Sequence, residues 1–377
     1  MSAPLFLYGT LRHPPLLETV LGAPAGDAGA VPAALHDHAV RRVEDEPFPM
    51  LLEEPGARAE GLLLERLSAE GRARLDFYEG GFDFARRQVT VETGQGPRRA
   101  EVYACPPGRW TPGAPFRLDA WAARWGALSV AAAEEVMIHR EQRDADSVAA
   151  MFPMIRARAQ ARLNALEAPA PDRAPQGFGA DTVRETARRI PYARFYSVEE
   201  RDLSYPRFEG GYGPVVTRAA LMGTDAAIVL PYDPVSDRVM LLEQFRPAPY
   251  FRGDPRPWCL EPVAGRVDGG ETPEQAALRE GAEEAGLSFD RLEFVSRNYP
   301  SPGSTTEYFH VYVGICRLPE RVEGTGGLDD EAEDIRRHVM PFETAMALAE
   351  AAELDVGPLL LALYWLARHR ARLRTQA

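Results

Sequence analysis

The sequence predicts an α+β protein built from two domains. Its 377 residues are 45% hydrophobic and 26% charged, an ordinary globular composition with enough apolar material for two cores. Residues 167–180, EAPAPDRAPQGFGA, replace periodic patterning with Pro, Ala and Gly, as expected of a semi-rigid linker. Strand-type and helix-type patterns occur on both sides. We therefore expect a first domain over 1–166, a linker over 167–180 and a second domain over 181–377.

The first domain begins with an apolar strand, LFLYGTL at residues 5–11, and ends with helices. Between residues 118 and 166, apolar residues recur at helical spacing in Ala-, Arg- and Glu-rich stretches, which predicts two or three helices. Pro153 should interrupt one of them, because proline lacks an amide hydrogen and clashes with the preceding turn.

The second domain shows a hairpin pattern followed by helices. An apolar strand near 226–232, a turn over 233–237 and a return strand over 238–245 form the predicted hairpin. A loop and a helix follow over 265–287, and a short strand is predicted at 308–314. The last two helices are expected over 341–351 and 357–373.

The charge balance excludes several classes of function. A net charge of -13 argues against a nucleic-acid polymer as partner, since such binding needs a basic surface. The chain contains no lysine, so all 43 basic residues are arginines. Lysine-dependent phosphate loops and Schiff-base catalysis are therefore excluded, and arginine must make any phosphate contact.

The cysteines and the apolar stretches indicate a cytoplasmic protein. Cys105, Cys259 and Cys316 are odd in number and far apart, so they predict neither a disulfide framework nor a zinc site. The longest nearly unbroken apolar stretch, residues 356–367, is too short to span a bilayer, and the first residues lack a secretory pattern. We expect no membrane partner.

Three carboxylates on one predicted helix are the main chemical signal. Glu280, Glu283 and Glu284 stand at positions i, i+3 and i+4, so they share one face. They repel one another unless a divalent cation lies between them, and oxygen ligands in this number suit Mg²⁺ or Mn²⁺. The alternative is a solvated acidic helix face.

The spacing around these carboxylates resembles the signature of the Nudix hydrolases, G-x5-E-x7-R-E-U-x-E-E-x-G-U, where U is a bulky apolar residue. The matching positions are Gly265, Glu271, Arg279, Glu280, Glu283, Glu284, Gly286 and Leu287. Gly281 stands where the pattern has an aliphatic residue, and we expect it to loosen a core contact. The resemblance implies an α/β/α sandwich around a mixed sheet.

The same resemblance implies roles for individual residues. Glu280, Glu284 and the backbone carbonyl of Ala264 would ligate the metal, with Glu283 as an auxiliary ligand or water contact. Arg279 would pair with Glu271 and hold the loop against the helix.

Elements outside the signature resemble the ADP-ribose pyrophosphatase branch of this family over residues 183–377. Residues 301–307, SPGSTTE, and the acidic residues 328–336 are similar to two elements of that branch. The branch places its general base in the acidic loop. Glu331 is therefore the expected base, with Glu333 in reserve.

The resemblance also implies a substrate, substrate contacts and an assembly. Arg246 and Arg218 are candidates for pyrophosphate or ribose contacts, Phe195 or Tyr196 for adenine stacking, and Pro302 for the substrate loop. The expected reaction is Mg²⁺-dependent hydrolysis of ADP-ribose to AMP and ribose 5-phosphate by a homodimer. The alternatives are hydrolysis of other nucleoside diphosphate derivatives, such as nucleotide sugars, or nucleotide sensing without cleavage.

The first domain resembles the gamma-glutamylcyclotransferase-like fold, a small β-barrel with helices. The resemblance rests on Tyr8, Gly9, Thr10 and Leu11, whose backbone would hold the substrate, and on residues 75–80, LDFYEG, where Glu79 would be the acid and base. The alternative is a noncatalytic binding or dimerisation module.

Two features of this segment depart from the related family. Phe84 stands near the place where that family has a tyrosine, and residues 24–55 have no evident counterpart. Fusions of this type are sometimes linked to tellurite resistance, which these residues do not explain.

Overall fold

The computed structural model describes residues 3–82, 84–168, 177–321, 325–327 and 333–376. The chain divides into two units, Met1–Glu167 and Ala168–Ala377. An α+β fold in two domains is therefore confirmed. Most of the expected linker lies outside the described residues.

The first unit is built on a small β-barrel, as expected. Its strands are β1 (Leu5–Leu7), β2 (Ala30–Val43), β3 (Pro49–Leu64), β4 (Ala85–Thr93), β5 (Gly96–Ala104) and β6 (Pro112–Pro115). They run in the order β3-β1-β5-β4-β2-β6, and a further pairing of β3 with β2 closes the first five into a barrel. Strand β2 and the first part of β3 come from residues 24–55, the region that had no evident counterpart in the related family.

Helices cover one side of this barrel. They are α1 (Pro14–Leu21), α2 (Ala69–Gly80), α3 (Leu118–Trp121), α4 (Ala127–Ile138), α5 (Ala145–Ala150) and α6 (Phe152–Glu167). After residue 117, a π-helical turn over Ala122–Gly126 joins α3 and α4 into one continuous helix. With α5 and α6 the region therefore contains three helical runs, within the expected two or three. Pro153 lies in the first turn of α6, where a proline costs no hydrogen bond, directly after the break at Met151 that separates α5 from α6. The helical run is therefore interrupted beside Pro153, as expected.

The second unit contains a mixed sheet and a separate three-stranded sheet. Its strands are β7 (Arg184–Ala193), β8 (Ser197–Ser204), β9 (Val216–Met222), β10 (Asp225–Asp233), β11 (Arg238–Phe245), β12 (Trp258–Glu261), β13 (Val263–Arg266), β14 (Arg291–Asn298), β15 (Tyr308–Ile315) and β16 (Arg336–Pro341). The larger sheet follows the path β12-β11-β10-β15-β14, with β13 on β10 and β16 on β11. Strands β10 and β15 are parallel, whereas the other pairs are antiparallel. Strands β7, β8 and β9 form the separate sheet.

Helices cover both faces of the larger sheet, so the α/β/α sandwich is confirmed. The helices are α7 (Pro247–Arg252), α8 (Pro273–Glu283), α9 (Phe342–Glu350) and α10 (Gly357–Thr375). Alternate residues of β10 point to opposite faces: Val229 packs in the cluster that contains Ala276 of α8, and Leu230 packs in the cluster that contains Leu363 of α10. No helix among the described residues is long and apolar enough to cross a bilayer.

Gly281 does not loosen the core, contrary to the sequence-based expectation. The residue is buried, and a methyl group added there would overlap the ring of Phe289. The same ring lies against Gly314 of β15. Phe289 therefore fills the volume that an aliphatic side chain occupies in the family pattern.

Candidate functional site

The carboxylates Glu280, Glu283 and Glu284 lie at the C-terminal end of α8. The residue at which the helix begins determines the direction in which these side chains point. Thr272 accepts a hydrogen bond from the backbone of Gln275, and the Gln275 side chain accepts one from the Thr272 amide. This capping box starts the helix at Pro273. Two further turns bring the three glutamates to the edge of β13.

Strand β13 receives these carboxylates against its backbone. The amide of Ala264 donates a hydrogen bond to Glu284 Oε2 at 3.0 Å. A methyl group on Gly265 would overlap the carboxyl group of Glu280. Glycine is therefore the residue that allows the Glu280 carboxyl group to lie directly on the strand.

Arg279 links the loop to the helix. Its guanidinium donates to both oxygens of Glu271, at 2.9 and 3.1 Å, and to the carbonyl oxygen of Arg266 at 3.0 Å. It also donates to Glu280 at 2.6 Å and to Glu283 at 3.0 Å. Glu271, through its hydrogen bond first, and Glu280 raise the Arg279 pKa against the lowering effect of burial. One cation therefore neutralises part, but not all, of the acidic cluster.

The remaining carboxylates lie close together, and the positive charge nearby is not enough to neutralise them. Glu284 is only 2% exposed, and burial, followed by the charges of Glu280, Glu333 and Glu261, raises its pKa to about 8 against a favourable hydrogen bond from Ala264. Burial likewise raises the pKa of Glu280 to about 7. Buried carboxylates that repel one another suit a divalent cation.

The residues present therefore fit the expected metal. Within the described ranges, no three His, Cys, Asp or Glu side chains converge closely enough to form a complete metal site by themselves. Glu280 and Glu284 would hold the ion together with backbone and substrate oxygens, and Glu283 would act beside them. When bound, a divalent cation supplies the charge that neutralises a diphosphate.

Both flanks of the acidic loop are fixed near this cluster. The backbones of Gly326 and Ile335 exchange hydrogen bonds at 2.7 and 3.2 Å. Arg337 donates to the carbonyl oxygens of Ala285 and Thr325, at 3.1 and 3.2 Å. Glu333 acts electrostatically on Glu280 and Glu284. Glu331, the expected base, lies outside the described residues.

Arg246 lies near the carboxylates but is itself paired. Its Nε is 2.9 Å from Glu261 Oε1 and its Nη2 is 2.8 Å from the same oxygen. Burial lowers the Arg246 pKa, whereas Glu261, Glu284 and Glu333 together raise it above the ordinary value. Sequence reasoning missed Glu261, whose proximity depends on the pairing of β11 with β12.

Glu307 was also missed as a site residue. Burial raises its pKa, and the positive charge of Arg246 opposes that shift. The SPGSTTE loop that carries Glu307 is tied to β9, because Leu221 N donates to Ser304 O at 2.9 Å and Thr306 N donates to Leu221 O at 3.0 Å. The position of Glu307 within the SPGSTTE loop was the sequence signal that could have identified it as a site residue.

The other expected substrate contacts lie on exposed surface. Phe195 and Tyr196 occupy the turn between β7 and β8, with their rings edge to face at 4.9 Å. The guanidinium of Arg266, next to Gly265, is 5.3 Å from the Phe195 ring centre. Pro302 is exposed, and Arg218 on β9 is exposed with its Nη2 3.4 Å from the Tyr205 hydroxyl. Phe195 is therefore near the signature loop, and the contacts of Arg218 are with the small sheet.

The first unit contains a cavity of about 450 Å³. The expected residues Tyr8, Gly9, Thr10, Leu11 and Glu79 all line it. Aromatic rings form much of the remaining wall, namely Phe48, Tyr78, Phe82, Phe84, Tyr103, Trp110, Trp121 and Phe152. The substrate loop and the proposed acid therefore face one enclosed space.

Burial gives Glu79 the electrostatics of an acid and base. It raises the pKa of the Glu79 carboxyl group to about 7. Burial and the charge of Glu79 also raise the pKa of Tyr8. Tyr103, which sequence reasoning missed, donates to Asp76 Oδ1 at 2.6 Å. Phe84, which stands near the place of the family's tyrosine, lines the cavity as well. Phe84 and Tyr103 therefore both contribute rings to the cavity wall.

Comparisons with known proteins match each unit separately. Residues 222–360 match the NUDIX domain family. Residues 5–123 match the family described as gamma-glutamyl cyclotransferase, AIG2-like. The second match includes the residues for which the sequence showed no counterpart.

The curated relatives align with the second unit. The chain is 38% identical over 206 residues to the ADP-ribose pyrophosphatase of Escherichia coli (strain K12), covering 55% of this chain and 98% of the relative. It is 33% identical over 201 residues to the ADP-ribose pyrophosphatase of Haemophilus influenzae, covering 53% and 92%. It is 32% identical over 142 residues to the GDP-mannose pyrophosphatase of Salmonella arizonae, covering 38% and 73%.

The carboxylate helix, the glycine that receives it and the near-complete alignment with these relatives lead to one conclusion. The chain belongs to the Nudix family and carries a gamma-glutamyl cyclotransferase-like domain before its Nudix domain.

Proposed function

We propose that this protein hydrolyses the pyrophosphate bond of ADP-ribose, giving AMP and ribose 5-phosphate, with Mg²⁺ as the cation and Mn²⁺ as a substitute. The observation that carries the proposal is the cluster of Glu280, Glu283 and Glu284 against β13 in a chain that aligns with ADP-ribose pyrophosphatases. The substrate is a small nucleotide, not a nucleic-acid polymer.

The residues of the second unit divide into four tasks. Glu280 and Glu284, with Ala264 and Glu283, hold the cation. Arg279 keeps this set in place through Glu271. Arg246 contacts the diphosphate after exchanging part of its pairing with Glu261, while Phe195, Tyr196, Arg218 and Pro302 contact the remainder of the substrate. Glu331 removes the proton from the attacking water, and Glu333 is the reserve candidate.

A substrate panel tests this proposal. We expect the highest kcat/KM for ADP-ribose among ADP-ribose, ADP-glucose, GDP-mannose, NADH and nucleoside triphosphates, and no turnover with excess chelator. A preference for GDP-mannose or ADP-glucose would favour the nucleotide-sugar alternative, for which one relative provides a precedent. Binding without turnover of any compound would instead indicate a nucleotide sensor.

We further propose that the second unit forms a homodimer through its exposed aromatic residues. Phe245, Tyr250 and Trp258 are exposed, and the Phe245 ring contacts both others, at 5.4 Å from Trp258 and 6.0 Å from Tyr250 between ring centres. Exposed rings that cluster in this way mark interaction surfaces. Sedimentation analysis of Phe251→Ser, a neighbouring exposed residue, should show a weaker dimer, and a monomeric wild type would contradict the assignment.

The cytoplasm is the proposed compartment. All three cysteines are free and buried. Proteins of oxidising compartments commonly use cysteines in disulfides. Fractionation of cells that produce the protein would test this location.

For the first unit we propose gamma-glutamyl cyclotransferase activity, because Glu79 and the loop of residues 8–11 line one cavity. The substrate α-amino nitrogen attacks the γ-carbonyl carbon, forming a lactam C–N bond as the original amide C–N bond breaks. Glu79 accepts the proton from the attacking nitrogen and delivers it to the departing amine. Release of 5-oxoproline from gamma-glutamyl dipeptides tests the proposal, and its absence would favour the noncatalytic module.

A further inference from the structure

The cavity of the first unit is completed by residues that follow the family match. That match ends at residue 123, yet Ser129, Ala149, Phe152, Pro153 and Arg156 all line the cavity. They belong to α4, α5 and α6. These helices therefore add a wall to a cavity whose proposed catalytic residues come from the barrel and α2.

This added wall packs directly on the segment that follows Glu79. A methyl group on Gly81 would overlap Ala149 and the carbonyl oxygen of Ala145, so the backbone at residue 81 lies against α5. One residue later, Phe82 contacts Phe152 edge to face at 5.3 Å. The position of α6 is consequently coupled to the position of the proposed acid.

Arg156 brings positive charge to this wall. It is half-buried, and its guanidinium carbon is 5.5 Å from the ring centre of Trp125. Its charge acts on the phenol of Tyr78, the residue before Glu79. The other charged residues that line the cavity, apart from Glu79, are Glu46 and Arg109, and both are exposed.

The chemistry of this arrangement favours an anionic ligand group. A carboxylate taken into an aromatic cavity loses its hydration and needs a paired cation. A guanidinium can donate two parallel hydrogen bonds to a carboxylate. A cationic amine placed beside Arg156 would be repelled, whereas the exposed charges of Glu46 and Arg109 are opposite in sign.

We propose that Arg156 is a specificity-determining residue that pairs with a carboxylate on the amine half of a gamma-glutamyl amide. The cavity accordingly prefers amides of amino acids over amides of uncharged or cationic amines. This inference rests on the proposed ligand class of the first unit, but recognition can be measured separately from turnover.

The test uses the full-length chain with Glu79→Gln, which prevents turnover, and calorimetric titration with two probes. Gamma-glutamylalanine carries a carboxylate on its amine half, and gamma-glutamylethylamide does not. Arg156→Gln should raise the Kd for gamma-glutamylalanine roughly 10- to 100-fold and leave the ethylamide within about twofold. Arg156→Lys should recover part of the loss, and Arg124→Gln is the matched control, because Arg124 is exposed and lies over the same Trp125 ring without lining the cavity.

Each other outcome is informative. Equal weakening of both probes would mean that Arg156 pairs with the glutamyl α-carboxylate that both carry, or only packs on Trp125, and would overturn the inference. No weakening, or no binding of either probe, would also overturn it. If the probes respond as expected but the chain with Glu79 intact releases no 5-oxoproline, recognition stands and the cyclotransferase proposal fails. If the chain with Glu79 intact releases 5-oxoproline at a rate that Arg156→Gln does not change, the cyclotransferase proposal stands and the recognition inference fails.

Discussion

At the scale of single residues, burial changes the acidity of carboxylates in both units. Glu79 has a pKa of about 7 and Glu284 of about 8, and in both cases loss of hydration is the largest cause. The surroundings then differ. Further carboxylates surround Glu284, which suits a cation, whereas aromatic rings surround Glu79, which suits proton transfer.

Substitution of the acidic residues should separate their roles. Glu284→Gln removes a proposed metal ligand and should lower kcat by several orders of magnitude, together with the apparent affinity for Mg²⁺. Glu331→Gln should lower kcat about 10²- to 10⁴-fold and leave the Mg²⁺ affinity unchanged. Steady-state kinetics over a range of Mg²⁺ concentrations measures both parameters. An active Glu331→Gln beside an inactive Glu333→Gln would shift the base by two residues.

Glu79 should make the first unit less stable as the pH rises. Its pKa is about 7 in the folded chain and near 4.5 for the exposed group, so between these values the folded state holds the proton that the unfolded state has lost. Stability therefore falls from about pH 4.5 to pH 7 and then levels off. Glu79→Gln should stabilise this unit at pH 8 by up to about 3 kcal/mol and have little effect near pH 4.5.

Urea unfolding at several pH values would measure this difference. Glu92→Gln is the matched control, because Glu92 is an exposed carboxylate in the same barrel. A Glu79→Gln effect that does not vary with pH would show that the Glu79 carboxyl group is hydrated.

At the scale of elements, the contact between α8 and β15 depends on one ring. Phe289 lies between Gly281 of the helix and Gly314 of the strand, and a side chain at either glycine would overlap it. The sheet and the helix can thus approach closely on that side. The carboxylate end of α8 is fixed by the same packing that holds Ala276 and Ala277 on β10.

Restoring the family's aliphatic residue should consequently destabilise this protein. Gly281→Leu gains helix propensity of about 1 kcal/mol but introduces a clash with Phe289, so we expect a net loss of about 1 to 3 kcal/mol. The double variant Gly281→Leu, Phe289→Ala should be more stable than the sum of its single variants predicts. Loss of hydrolase activity in urea would report the stability of this unit. Additive effects would show that the two residues do not share a volume.

At the scale of the whole molecule, the two units have separate cores and separate chemistry. Each hydrophobic cluster among the described residues draws its members from one unit only. The proposed reaction of the first unit needs no metal, whereas that of the second requires one. We therefore propose independent domains over 1–166 and 181–377 joined by residues 167–180.

A fragment that begins at Gly179 should fold and hydrolyse ADP-ribose with the kcat of the full chain, because it retains β7 to β16 and the acidic loop. EDTA should abolish this activity and leave any 5-oxoproline release intact. Circular dichroism and the two assays would test both statements. An insoluble fragment would mean that helices between residues 118 and 166 stabilise the second unit.

The sequence by itself determined the features that depend on local spacing. The i, i+3, i+4 carboxylates, the glycine before the loop, the hairpin and the two-domain order all follow from patterns within short segments, and local patterns survive folding unchanged. The closing helices were less predictable. Alanine-rich segments carry a weak apolar period, so the sequence indicated two or three helices without their bounds.

Only the tertiary structure decided which distant residues share a site. Glu261 reaches Arg246 because β12 pairs with β11, Phe289 replaces the expected side chain at residue 281 because β15 lies beside α8, and Arg156 enters the barrel cavity from a helix more than seventy residues after Glu79. No local pattern encodes these contacts, because they arise from packing between elements that are remote in the chain.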